Sequence, residues 1–358
     1  MMQNGRDILL MKKARLDYLD FAKCIAILLV IWGHATPNGS SPAYRVVLYS
    51  FHMPLFFLVS GMVISRHQHE YNKEHWKSFI FKNIMTLLVP YLIWGAIYSS
   101  FSYANFFKLF YGSWEILGSV KTLTSLWFLP CLFVSRVLAE LMLMLSWKVN
   151  NIPRHLFAFF VSIAAFIVGF LFPRISIGYP LCVNISFTAL GFIMMGYALK
   201  DVILRISKIN AWIYLAATAF FGFLLFIGQF IQKDAPHLMH MCDGDYGNPF
   251  LFFLNSFAGI GIVISFSIFL TFIFRNNHKE KAGRFMLWAG KNTIGIYLLH
   301  KPLLQEIIMP IISATLAFLP IALQGLIGAV FAFIYAVIGC YIINKFVPSL
   351  FGKFPNLS

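Results

Sequence analysis

The sequence predicts an all-α, polytopic membrane protein of about ten transmembrane helices, and three observations predict it. Apolar residues make up 59% of the chain, charged ones only 11%, and there are 40 phenylalanines; mean hydropathy is +0.77. That exceeds what a soluble globular chain of this size carries. The apolar residues gather in windows long enough to cross ~30 Å of hydrocarbon. Lysine and arginine are also concentrated in alternate connections, as bilayer orientation requires.

The windows fall at residues 18–36, 50–65, 79–101, 123–147, 156–172, 182–199, 211–231, 250–274, 289–312 and 320–346. Each is expected as a helix, because hydrocarbon offers backbone groups no partner outside the segment itself. The first ends in the turn Thr36-Pro37-Asn38-Gly39-Ser40-Ser41-Pro42, and the second opens on Phe51-His52-Met53-Pro54. The third follows the basic stretch that contains Lys73, Lys77 and Lys82. The fourth opens on Leu126-Trp127-Phe128-Leu129-Pro130 and carries Arg136 and Glu140 at an i,i+4 spacing, expected to neutralise one another. In the eighth, Gly259-Ile260-Gly261 has no strand before it and reads as helix packing. The ninth contains His300, Lys301 and Pro302, where the proline should bend the helix.

With the N-terminus and every second connection inside, twenty lysines and arginines lie inward. Only Arg45, Lys108, Lys121, Arg174 and Lys233 lie outward, while Lys23, Arg136 and Lys301 fall within the membrane. Both termini are therefore expected in the cytoplasm. Orientation accounts for most of the net charge of +15, so no nucleic-acid partner is expected, although a basic patch for an anionic cofactor stays open. The five cysteines show no paired spacing, so neither a disulfide framework nor a metal site is expected. Asp20 and Lys23 within the first window argue against a signal peptide. No internal repeat is evident, and the longest connection, residues 232–249, is too short for a core of its own; with Asp234, His237, His240, Asp243 and Asp245 it is expected to be a solvated connection, the alternative being contact with a polar acceptor from outside.

Lys23 and His34 are the most informative pair. An eleven-residue step closes to within about 20° of three helical turns and rises roughly 16 Å, so both share one helix face, with Asp20 on the same stripe. Ionisable groups cost several kcal/mol in hydrocarbon unless they face a bundle interior or a wet cavity. This stripe is expected to line a path or a site. His52 should lie at similar depth to His34. The Ser60-Gly61 pair at mid-membrane suits close helix packing or ligand approach. Arg66 follows where the second helix reaches the inner face, and His300 should lie roughly 13 Å into its helix. Signatures of soluble nucleotide-binding, serine-hydrolase and zinc-protease sites are absent.

These residues also carry a resemblance. Leu16-Asp17-Tyr18-Leu19-Asp20-Phe21-Ala22-Lys23, continued by Cys24 to His34, resembles the basic-residue, ten-spacer, histidine motif of the membrane acyltransferase 3 family. Residues 51–61, 126–130 and 292–300 resemble three further blocks of that family, in the same order, and the similarity spans about residues 15–345. The resemblance implies a ten-helix domain over 15–347, between cytoplasmic tails at 1–14 and 348–358, in a bacterial cytoplasmic membrane. It implies transfer of an acyl group, usually acetyl, from acetyl-CoA or another acyl-CoA to a hydroxyl of a sugar, glycolipid or cell-envelope polysaccharide. His34 corresponds to the family's essential histidine. Lys23 stands where many members have arginine, offering a point charge rather than a bidentate fork.

The catalytic residues expected on that basis are His34, Lys23 and Asp20. Arg66, Lys23, Arg136 and His300 are expected to contact the CoA donor, and His52, Trp127 and Ser60 the acceptor, with no metal. His34 would act as general base or form a transient acyl-histidine. Two other classes fit an apolar chain with intramembrane charges: a secondary transporter or proton-coupled permease, expected to show repeat symmetry and broken helices in matching positions, and a non-catalytic subunit of an export system, expected to tolerate loss of Lys23 and His34.

Overall fold

Long apolar runs leave the backbone no partner but itself, and the chain folds as helix throughout. The computed structural model describes residues 2–37, 42–64, 73–149, 151–206, 210–276 and 281–354, and among them no strand occurs. The helices are α1 (Met2–His34), α2 (Ala43–Tyr49), α3 (His52–Met62), α4 (Lys73–Asn83), α5 (Val89–Tyr98), α6 (Tyr103–Tyr111), α7 (Trp114–Gly118) and α8 (Phe128–Ser146). They continue as α9 (Arg154–Leu171), α10 (Val183–Ile206), α11 (Ala211–Ile231), α12 (Pro249–Asn276), α13 (Lys281–Lys291), α14 (Thr293–Leu303), α15 (Met309–Thr315) and α16 (Ile321–Phe346). Among the described residues, eight helical segments are long and apolar enough to cross a membrane, one for each expected window except the first and ninth. The protein is an all-α, multi-pass membrane protein.

Both exceptions have physical causes. The first window lies on α1, whose described side chains include Asp17, Asp20 and Lys23, too many charges for a plain apolar span. The ninth, expected as one helix, is broken. α13 ends at Lys291, Asn292 takes a non-helical conformation, and α14 passes Pro302 into a wide π turn over Leu304–Ile308 before α15. A second π turn, Ile84–Leu88, joins α4 to α5. A proline follows each, Pro90 and Pro310, and the widened turn absorbs the missing N–H. The second window likewise starts earlier than expected and is two helices, parted at Ser50 and Phe51. The Ser50 carbonyl freed there accepts from Ser256 Oγ of α12 at 2.6 Å.

α1 is the central post: Ala22, Ile27, Ile31 and Ala35 are fully buried, and α3, α12, α13, α14 and α16 pack around it. α11 lies at the periphery, with Phe220, Phe223, Phe226 and Phe230 at 55–63% exposure along one face, an apolar jacket suited to lipid. α3 and α10 touch through backbone. A Cβ at Gly61 would stand 1.8 Å from the Ile193 carbonyl oxygen, and one at Gly196 2.0 Å from that of Leu58. Gly61 therefore serves close packing.

Gly196→Val should destabilise the protein by about 2 kcal/mol or more through overpacking, read as a lower melting temperature in detergent. Gly222→Val, which meets nothing within 4 Å, should leave it unchanged.

Candidate active site

The seam on α1 opens into two cavities. The stripe that carries Asp20, Lys23 and His34 includes Val30, seven residues beyond Lys23 and four before His34. Lys23 lines a cavity of about 320 Å³, and His34 lines a second of about 290 Å³. Val30, Met53 and Tyr297 border both, so the two meet at a collar of one aliphatic, one thioether and one phenol side chain.

At the Lys23 end, Lys23 Nζ pairs with Asp20 Oδ1 at 2.5 Å, and Lys291 Nζ stands 4.0 Å from Asp20 Oδ2. Asp20 is buried. Gly290 makes this approach: a Cβ there would lie 1.9 Å from the Asp20 carbonyl oxygen. Lys23, Arg136, Lys291 and Lys353 all line the cavity, and no carboxylate does among the described residues. Lys353 donates to Asn292 Oδ1, which also accepts from Asn344 at 2.9 Å. Partial burial lowers the Lys353 ammonium below the usual lysine range. The break at Asn292 thus turns a helix junction into a polar anchor for the cavity wall.

At the other end, His34 Nδ1 lies 3.3 Å from the Tyr49 hydroxyl, whose oxygen accepts from Arg45 Nη2 at 3.2 Å. The Arg45 guanidinium also stacks over the Tyr49 ring at 4.7 Å. A proton on His34 Nδ1, given to the Tyr49 oxygen, leaves Nε2 as a base. His52 donates from Nδ1 to the Leu48 carbonyl at 2.6 Å, the bond a helix interior offers it, and lines the same cavity. Lys301 is 6% exposed and donates to the Thr124 hydroxyl.

The expected site residues divide between these ends. Arg136 and Ser60 line the Lys23 cavity, while His52 and Trp127 line the His34 cavity. Ser60, expected at the acceptor, therefore lies with Lys23 and Arg136. His300 is fully buried, its ring 5.4 Å from that of His34, so it packs beside His34 and lines neither cavity. It donates from Nδ1 to the Tyr297 carbonyl at 2.5 Å, and its Nε2 has no partner among the described residues. Arg66 lies outside the described residues. The expected Arg136–Glu140 pair does not close into direct contact: Glu140 Oε1 bonds His75 Nε2 at 3.0 Å, and its charge acts on Arg136 through space.

Sequence reasoning missed Arg45, Tyr49, Lys291 and Lys353 as site residues. Arg45 and Tyr49 sit on the short α2 inside what reads as a connection, and only its apolar stripe hints at a helix. The expected solvated connection, residues 232–249, is also corrected: Met239, Met241, Cys242 and Tyr246 are buried, and Met239 to Cys242 roof the His34 cavity. There His240, Cys242 and Asp243 hold three potential metal-ligand atoms within 4.8 Å of one another. Burial raises the Cys242 thiol well above its usual range, which works against the thiolate a metal needs.

Comparison with known proteins agrees in class. The family described as an acyltransferase domain matches residues 16–345. Nodulation protein NolL of Mesorhizobium japonicum is 26% identical over 297 residues, 78% of this chain and 74% of that protein. Nodulation protein NolL of Sinorhizobium fredii is 30% identical over 131 residues, 34% of this chain and 35% of that protein.

Lys23→Met leaves the buried Asp20 carboxylate only Lys291, 4.0 Å away, and should cost about 1 kcal/mol of stability. Asp20→Asn combined with Lys23→Met should recover most of that, and thermal melting of the purified variants checks both.

Proposed function

The chain belongs to this acyltransferase domain family and is a membrane acyltransferase, and from that premise we propose that it transfers an acyl group, acetyl in the first case, from cytoplasmic acyl-CoA to a hydroxyl of a sugar, glycolipid or cell-envelope polysaccharide. The observation that carries this reading is the pair of cavities meeting at Val30, Met53 and Tyr297, cationic at one end and bearing His34 at the other. The excess of basic residues in alternate connections supports a bacterial cytoplasmic membrane with the Lys23 end inward.

The chemistry follows from charge and reach. CoA carries several negative charges and cannot enter hydrocarbon, so its phosphates stay with Lys23, Arg136, Lys291 and Lys353. Asp20 holds the Lys23 ammonium in place. Arg66 belongs to the same inner end by its sequence position. The thin pantetheine arm runs past Ser60 toward the collar and presents the thioester carbonyl to the second cavity. There the acceptor lies between His52 and the ring of Trp127.

His34 Nε2 takes the proton of the acceptor hydroxyl as its oxygen attacks the thioester carbon. The tetrahedral intermediate collapses by breaking the C–S bond, and the departing CoA sulfur takes up the proton held by the imidazolium. The products are an ester and free CoA thiol, and the enzyme returns to its starting protonation. Tyr49 holds the Nδ1 side of the ring during both proton movements. The transporter reading lacks support, since the broken segments, residues 50–51, 84–88 and 292–308, do not fall in matching halves.

His34→Ala should lower acceptor-dependent release of CoA thiol from acetyl-CoA at least hundredfold, with the size-exclusion profile of the purified protein unchanged. Full activity in that variant would remove the mechanism. Arg136→Gln should raise the KM for acetyl-CoA about tenfold, the scale of one lost charged hydrogen bond, with a smaller change in kcat.

A further inference from the structure

The acyl-transfer chemistry leaves two cations of the His34 cavity without a task. Lys301 is 6% exposed and borders this cavity, yet its only partner among the described residues is the hydroxyl of Thr124. A lysine inside a helix bundle costs several kcal/mol unless an anion offsets it. Arg45, which lines the same cavity, donates to the Tyr49 hydroxyl, while its Nε is buried with no partner among the described residues. The third cation, Lys121, is matched by Glu306 at 2.9 Å. Asp243 stands behind His240, 3.6 Å from its ring, and does not border the cavity. Among the described residues lining this space, no side chain is a carboxylate.

An acyltransferase acting on neutral partners has no use for this arrangement. The reaction itself generates charge transiently, and the imidazolium of His34 gains nothing from two neighbouring cations. A fixed anion on one of the substrates does offset them, and it anchors the reacting hydroxyl or carbonyl at a set distance from His34. We propose that the His34 cavity is built for a substrate bearing a carboxylate or phosphate group, which binds between Arg45 and Lys301. The proposal rests on the acyl-transfer reading and names the substrate class of that site. The anion has two sources, an acidic sugar of the acceptor or the free carboxylate of a dicarboxylic acyl group on the donor.

Four substrate pairs separate these sources: acetyl-CoA or succinyl-CoA, each with methyl glucoside or methyl glucuronide, followed by release of CoA thiol from the purified full-length protein. One of the singly anionic pairs should exceed the all-neutral pair at least tenfold in kcat/KM, and which one does so identifies the source. That preference should fall to within about twofold of unity in Arg45→Gln and in Lys301→Gln, and persist in Arg45→Lys. An all-neutral pair turned over as well as the anionic ones overturns the proposal. So does a uniform loss for every pair in both variants, which would assign the two cations to the reacting carbonyl oxygen instead.

Binding gives a readout independent of turnover, because Trp114 and Trp127 both line this cavity. Titration by tryptophan fluorescence should find methyl glucuronide, or succinate if the donor is the source, at least tenfold tighter than methyl glucoside in the native protein. Equal affinities would overturn the proposal while leaving acyl transfer itself untouched. Retained activity of His34→Ala would instead sink the acyl-transfer reading.

Discussion

Placing ionisable groups on the innermost helix of an apolar bundle is the constraint on which the rest of this structure depends. α3, α12, α13, α14 and α16 pack around α1; Lys23 and His34 face cavities within that packing, and the buried Asp20 pairs with Lys23. Each charge must find a partner or a cavity. Asp20 and Lys23 satisfy one another, and Gly290 supplies the close contact that brings Lys291 to the same carboxylate. His34 finds Tyr49 on one side and His300 on the other. Two cavities follow from this, because packing the stripe with apolar side chains would strand its polar atoms.

Interruptions of the helices serve the same seam. The parting at Ser50 and Phe51 lets Arg45 and Tyr49 lie on one short helix and His52 on the next, with the freed carbonyl held by Ser256. The break at Asn292 brings Lys353 and residues 290–295 to the Lys23 cavity, with Asn344 bonded behind them to Asn292. Non-helical backbone inside a membrane is tolerated where protein or a cavity receives its polar groups, and both breaks border a cavity. The apolar jacket of α11, far from the seam, has no such interruption.

The two ends divide the labour by charge. Four cations line the cavity at the Lys23 end, with one carboxylate beside them. At the His34 end, imidazoles share a smaller space with Arg45 and Lys301, and among the described residues lining it no side chain is a carboxylate. The collar of Val30, Met53 and Tyr297 that borders both cavities is largely apolar. Met239 to Cys242 of the connection over 232–249 roof the second cavity, with Met239 and Met241 buried.

The sequence alone determined the class, the α-helical architecture, nearly all the spans and the shared face of Asp20, Lys23 and His34, because hydropathy and helical period are local properties of the chain. It also gave the four blocks on which the family resemblance rests. It did not determine which helix lay at the centre, which residues of α2 and of the connection over 232–249 turned inward, or that His300 faced His34 rather than the Lys23 cavity. Nor could an i,i+4 spacing tell that Glu140 would meet His75 of α4 instead of Arg136. Those outcomes are contacts between segments distant in the chain, fixed by which surfaces pack with fewest voids and fewest unmatched polar atoms, and only the tertiary structure decides them.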